Sequence, residues 1–165
     1  MSFSHFNEDG RARMVNVQEK LKTARKAVAQ SKIRLSNALY TAIHDQSLQK
    51  GDPLSVAQVA GVMAAKKTPD WIPMCHPIMI QGTDIDFRFE EDEGDHLLVI
   101  TATVTVEANT GVEMEALTAV SASALTFYDM CKSIDKGMII EETLLLTKTG
   151  GKNGDFHHPR TQSYD

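Results

Sequence analysis

The chain has 165 residues and a mass of 18.2 kDa, the size of one domain with its own core, and its 42% apolar and 24% charged residues fit neither a disordered nor a membrane protein. A net charge of −5 argues against broad, sequence-independent attraction to nucleic acid, although lysines converging locally could still hold a polyphosphate. Cys75 and Cys131 have no CxxC partner and read as reduced thiols, and no apolar run approaches the roughly 18 residues of a membrane span, so a cytoplasmic protein is expected.

Residues 1–13 are polar and are expected to be a loose segment, residues 14–156 one α+β domain, and residues 157–165 a loose tail. From Arg25 to Leu35, Ala and Lys favour a helix while Val28, Ile33 and Leu35 alternate, and the alternation is preferred as a strand. Ser36 has N-cap chemistry for a helix carrying Leu39, Ala42 and Ile43, ending near Asp45 to Ser47. Lys50-Gly51-Asp52-Pro53 is a turn leading into a second helix, whose apolar stripe of Val56, Val59, Ala60 and Met63 is expected to be its buried face. Pro69, Pro73 and Pro77 argue against a regular helix across the next segment and predict a rigid loop that presents Cys75 and His76.

Ile85, Phe87 and Phe89 alternate with charged residues in a half-buried strand, the acidic run from Glu90 to Asp95 turns, and Leu97 to Val106 is its antiparallel partner. Glu115 to Lys132 reads as a long Ala-rich helix and Met138 to Thr147 as a last strand. Antiparallel strands interleaved with helices imply an α+β fold with the helices on one face of the sheet, for which a ferredoxin-like arrangement is a natural solution.

Glu113 and Glu115 share a face only where the chain is extended, so they are placed at a strand end, either facing one pocket or simply solvated. Asp129 and Lys132 are neighbours at helical spacing and read as a base and acid pair or as a plain surface ion pair. His76, in its proline-stiffened loop, reads as an imidazole held for proton chemistry or as a histidine that orders the loop through a backbone bond. Arg25, Lys50, Lys66, Lys67, Lys132, Lys148 and Lys152 recur at loops and element ends, where several together would make a phosphate pocket. The segment Thr149 to Asp155 is glycine-rich but is not GxxxxGK[ST], and Cys75, His76, Cys131, His157 and His158 match no common zinc spacing. No GxSxG, HExxH or GxGxxG occurs.

Met14-Val15-Asn16-Val17, Lys50-Gly51-Asp52, Gly61 with Ala64-Ala65-Lys66-Lys67-Thr68, Ile72-Pro73-Met74-Cys75-His76-Pro77, TGVEMEALTA from Thr110, Tyr128-Asp129-Met130-Cys131-Lys132 and GGKNGDF from Gly150 together resemble the cyclic pyranopterin monophosphate synthases, also called molybdenum cofactor biosynthesis protein C. The resemblance runs from about Met14 to Phe156, and Asn16 stands where that family usually has aspartate. It implies a ferredoxin-like subunit in a homohexamer of dimers with interface pockets, acting on 3′,8-cyclo-7,8-dihydro-GTP to give cyclic pyranopterin monophosphate and pyrophosphate. It also implies Asp129, Lys132, Lys50 and His76 as catalytic residues. Met74, Cys75, His76, Glu113, Met114, Glu115 and Lys152 would bind substrate, with Lys148, Arg25 and Lys66 as further phosphate contacts. Neither a metal nor a redox cofactor is expected, and Mg²⁺ would enter, if at all, with the triphosphate. A non-catalytic purine-nucleotide-binding assembly protein on the same fold, or a metal-dependent phosphohydrolase, are the rival readings.

Overall fold

The computed structural model describes residues 5–45 and 51–163. Chain order is β1 (Thr23–Leu35), α1 (Asn37–His44), α2 (Pro53–Lys66), the single turn α3 (Thr68–Trp71), β2 (Gly82–Asp92), β3 (Asp95–Ala108), α4 (Glu113–Cys131), β4 (Ile139–Thr149) and the two-residue β5 (Phe156–His157). The sheet runs β2-β3-β1-β4-β5 with every pairing antiparallel. With β1 and β3 central and helices at both crossovers, this is the ferredoxin-like arrangement, extended at one edge by β5.

Register explains how the core forms. Ala27, Ala29, Ser31 and Ile33 of β1 lie opposite Val104, Ala102, Ile100 and Leu98 of β3, and Ile85, Phe87 and Phe89 of β2 continue the same face. Helices α1, α2 and α4 pack on that face, with Leu39, Ala57, Ala119, Val120, Ala124 and Phe127 fully buried among these strand residues. The one polar side chain in this row of β1 is satisfied across the sheet: the Ser31 hydroxyl donates to the Glu142 carbonyl (3.1 Å) and lies 3.1 Å from the Thr143 hydroxyl. Between β2 and β3 the turn residues Glu93 and Gly94 both have positive φ, 50° and 89°, the conformation that a two-residue hairpin turn requires.

Ser36 caps α1 by accepting from the Leu39 amide, and Asp52 caps α2 by accepting from the Leu54 amide at 3.0 Å, with Pro53 in the first turn as its chemistry suggests. Two sequence readings need correction. Pro69 does not exclude a helix, because it enters the first turn of α3, where its missing N–H is not needed. The larger error concerns the buried face of α2: Val56, Val59 and Met63 point outward, with Val59 64% exposed, while Ala57, Gly61, Ala64 and Ala65 face the core. Two stripes on this helix are apolar, and periodicity alone does not choose between them. The choice is made by close approach to α4, where the Ser123 hydroxyl donates to the Ala57 carbonyl at 3.0 Å.

Gly61 sits at that approach. A Cβ there would come within 2.2 Å of Ser123 Oγ, 2.4 Å of Ile85 Cδ1 and 3.0 Å of the Ala119 carbonyl oxygen. Alanine in place of a helical glycine ordinarily gains up to about 1 kcal/mol, but overpacking costs roughly 1–3 kcal/mol, and here backbone must move. Gly61→Ala should therefore lower the melting temperature by roughly 2–8 °C. A melting curve at or above the parent's would show that α2 can slide away from α4 without cost.

Candidate active site

Four segments meet at one end of the sheet: residues 15–20 ahead of β1, the proline loop 72–80, the connection from β3 into α4, and the loop after β4. They enclose a cavity of about 640 Å³ lined by Met74, Cys75, His76, Glu113, Met114, Glu115 and Lys152, all expected as substrate contacts, together with Lys20, His5, Thr110 and Asn153. The Cys75 amide closes a turn on the Ile72 carbonyl (3.0 Å), which holds the thiol and the imidazole of His76 on the rim. The Asn109 side-chain amide donates to the Val17 carbonyl (3.2 Å) and ties the N-terminal segment to the end of β3.

Glu113 and Glu115 are not at a strand end. Both occupy the first turn of α4, and both still reach the cavity because the first turn of a helix presents its side chains around the helix end rather than along a flank. Their environments differ. The Glu113 carboxylate folds back over Gly111, where a Cβ would lie 1.9 Å from Oε2, so a glycine at 111 is the space in which this carboxylate sits. Glu115 is only 3% exposed, and its carboxyl is pushed up to about 7, first by burial and secondarily by the charge of Glu113, against a favourable contact with its own amide. The Cys75 thiol is also raised, by burial and then by Glu115.

A second cavity of about 670 Å³ adjoins the first and shares Lys20 and Lys152 with it. Its floor is Arg25, whose guanidinium donates to the Ala108 (3.0 Å) and Asn109 (3.2 Å) carbonyls. Gly151, at φ +82°, lies against this guanidinium, 2.5 Å from Nη1 for any added Cβ, so a side chain there would displace Arg25. Arg25, Lys148 and Glu113 also line one narrow cleft between β1, β4 and the start of α4. Lys20 and His5 escaped the sequence reading, since neither sits in a spacing that marks a site; Lys20 is recognised only from its position between the two cavities.

The remaining residues lie elsewhere. Asp129 and Lys132 form an ion pair of 2.5 Å at the opposite end of α4, which raises the Lys132 ammonium above its ordinary value. Fourteen residues separate Glu115 from Asp129 along the helix, about 21 Å at 1.5 Å per residue. Within one subunit this pair does not reach the cavity. Lys66 is exposed in the last turn of α2 and lines neither cavity, and Lys50 falls outside the described residues. Beyond residue 156, His157 pairs with Thr147 and the turn Pro159–Ser163 lies near β4, where Arg160 pairs with Glu142. Among the described residues no helix is long and apolar enough to cross a membrane.

Known proteins match this chain over nearly its whole length. The model of the MoaC family matches residues 14–151. The chain is 66% identical over 163 residues to a cyclic pyranopterin monophosphate synthase of Shouchella clausii, covering 99% of this chain and 98% of that protein. It is 59% identical to proteins of the same name from Lysinibacillus sphaericus, over 95% of this chain and 98% of the relative, and from Geobacillus kaustophilus, over 94% and 96%.

Proposed function

We propose, for a chain that belongs to the MoaC family, the activity its relatives are named for: it is a cyclic pyranopterin monophosphate synthase, a lyase of molybdenum cofactor biosynthesis. The observation that carries the reading to the site is the convergence of seven side chains from three separate family-like segments, the proline loop, TGVEMEALTA and GGKNGDF, on one cavity. The substrate is 3′,8-cyclo-7,8-dihydro-GTP. Glu113 accepts N–H groups of its guanine-derived part, while Arg25, Lys148 and Lys152 face the triphosphate. Opening and reclosing the rings is proton transfer at nitrogen and oxygen, for which Asp129 and Lys132 serve as base and acid and Lys50 and His76 stabilise the developing charge. In the last step a ribose-derived hydroxyl forms a P–O bond to the innermost phosphate and the bond to the next phosphate breaks, so pyrophosphate leaves.

We take Asp129 and Lys132 of one copy to enter the cavity of another, a reading supported by their distance from the cavity along α4, and the assembly to be a homohexamer of dimers with sites at the subunit interface. Its support is the outward stripe of Val56, Val59 and Met63, continued by Leu125 and Trp71, an apolar surface that a lone subunit would leave in water. Residues 14–156 form the catalytic unit, which we place in the cytoplasm. No resident cofactor is invoked, and Mg²⁺ accompanies the triphosphate.

The test is to supply the cyclised nucleotide and follow product and pyrophosphate together. Equimolar release of both is expected, with the protein itself unaffected by prior treatment with chelator. Retention of the nucleotide without pyrophosphate would identify a binding protein instead, and loss of activity after chelator treatment that only a transition metal restores would identify the phosphohydrolase.

A further inference from the structure

We propose that the two carboxyl groups of the cavity meet the ligand in opposite roles, Glu113 as an acceptor and Glu115 as a neutral acid that donates, so that together they select an N–H group beside a carbonyl, the lactam edge of a purine or pterin. The proposal rests on the synthase reading above and divides between two residues a task that paired acceptors would share.

Glu115 is a buried acid that lines a cavity yet forms no ion pair with any Lys, Arg or His among the described residues. The cavity it lines carries the sulfur-bearing side chains Met74, Cys75 and Met114 and the aliphatic Ile78, all poor at solvating an anion, beside the polar groups named below. Glu113, by contrast, is partly exposed, and it also lines the cleft of Arg25 and Lys148. The charged and titratable groups around the cavity are Glu113 on α4, Cys75 and His76 on the proline loop, His5 and Lys20 on the N-terminal segment, and Lys152 after β4. A second carboxylate beside an ionised one takes up a proton more readily, as does any acid moved out of water.

One force opposes this, because the amino end of α4 favours negative charge. That effect is worth less than about tenfold in the protonation constant, whereas burial moves the Glu115 carboxyl from the ordinary 4.5 to about 7, a change of hundreds-fold. Burial wins. Bringing in the Asp129–Lys132 pair of a neighbouring copy adds no net charge to the cavity. A neutral carboxylic acid can then donate its O–H to a ligand carbonyl while the Glu113 carboxylate accepts the adjacent N–H. An amidine edge such as that of adenine presents the reverse pattern and leaves both carboxyl groups mismatched.

Three measurements on the whole protein decide the matter. In protein labelled with ¹³C at glutamate carboxyls, the resonance absent from Glu115→Gln should titrate near 7, and a midpoint near 4.5 would overturn the proposal. Because the folded carboxyl binds its proton more tightly than the unfolded one, wild type loses stability as pH rises from 4.5 to about 7. Glu115→Gln should therefore melt higher than wild type at pH 8 but not at pH 5; equal differences at both values would contradict a neutral Glu115. With GTP as probe, wild-type binding should weaken at least about tenfold between pH 6 and 8.5, Glu115→Gln should bind nearly independently of pH, and Glu113→Gln should bind weakly throughout. Equal losses for both variants, adenosine triphosphate binding as well as GTP, or no GTP binding at all would overturn the division of roles. The first two measurements involve no ligand or turnover, so they stand or fall separately from the synthase assay.

Discussion

Replacing Lys132 by alanine should reduce product formation by roughly 10²-fold to 10⁴-fold, the usual consequence of removing a positioned proton donor. The variant should remain folded and assembled. Lys132 and Asp129 are both exposed, and an exposed helical ion pair contributes only about 0–1 kcal/mol, so a large loss of activity could not come from unfolding. Geometry alone gives the pair two meanings, since a surface ion pair at i,i+3 looks the same whether or not a substrate ever meets it. Steady-state turnover separates them: a rate within about twofold of wild type, with an unchanged melting curve, would reduce Lys132 to a solvated charge.

The second large effect is recovery of activity by mixing two inactive proteins. Glu113→Gln lacks its acceptor in the cavity of its own chain, and Lys132→Ala lacks its ammonium about 28 Å away along α4, a gap that no single subunit closes. If each site takes Glu113 from one copy and Lys132 from another, a mixed dimer has one site with both wild-type residues and one with neither. Random assortment across a two-fold interface makes half of the dimers mixed, so about a quarter of all sites should regain full activity. Against parents reduced a hundredfold or more, that recovery is unmistakable. Mixed oligomers, verified by mass, that stay as inactive as their parents would mean that these two residues never serve one site.

Much of the fold was legible because its signals were local. The alternation of Ile85, Phe87 and Phe89, the capping residues Ser36 and Asp52, and the Glu93-Gly94 turn each act within a few residues, and each lies in the structure where its chemistry places it. The buried face of α2 was not legible, because Gly61 faces inward only in answer to Ser123 and Ala119, some 60 residues later in the chain. The site divides the same way. Seven residues of family-like motifs, named from sequence, line one cavity, but Glu113 and Glu115 were placed on the wrong backbone, and the cavity they face is also lined by Met74 and Cys75 from another loop. Lys20 carried no local signal at all.

The central position of β1 also governs the order of assembly. Strands β2 and β3 are joined by two residues and can zip as soon as both exist, whereas β1, made first, must wait for β3 some 70 residues later and for β4 more than 100 residues later. Until Ile139–Thr149 leaves the ribosome, one flank of β1 from Lys26 to Arg34 has its amides and carbonyls unpaired. Such long closures slow folding and expose a bare strand edge to other chains. A nascent chain stalled before β4 would therefore hold a finished hairpin beside an unfinished sheet, and it is at this stage of synthesis, rather than in the mature molecule, that the flank of β1 is bare.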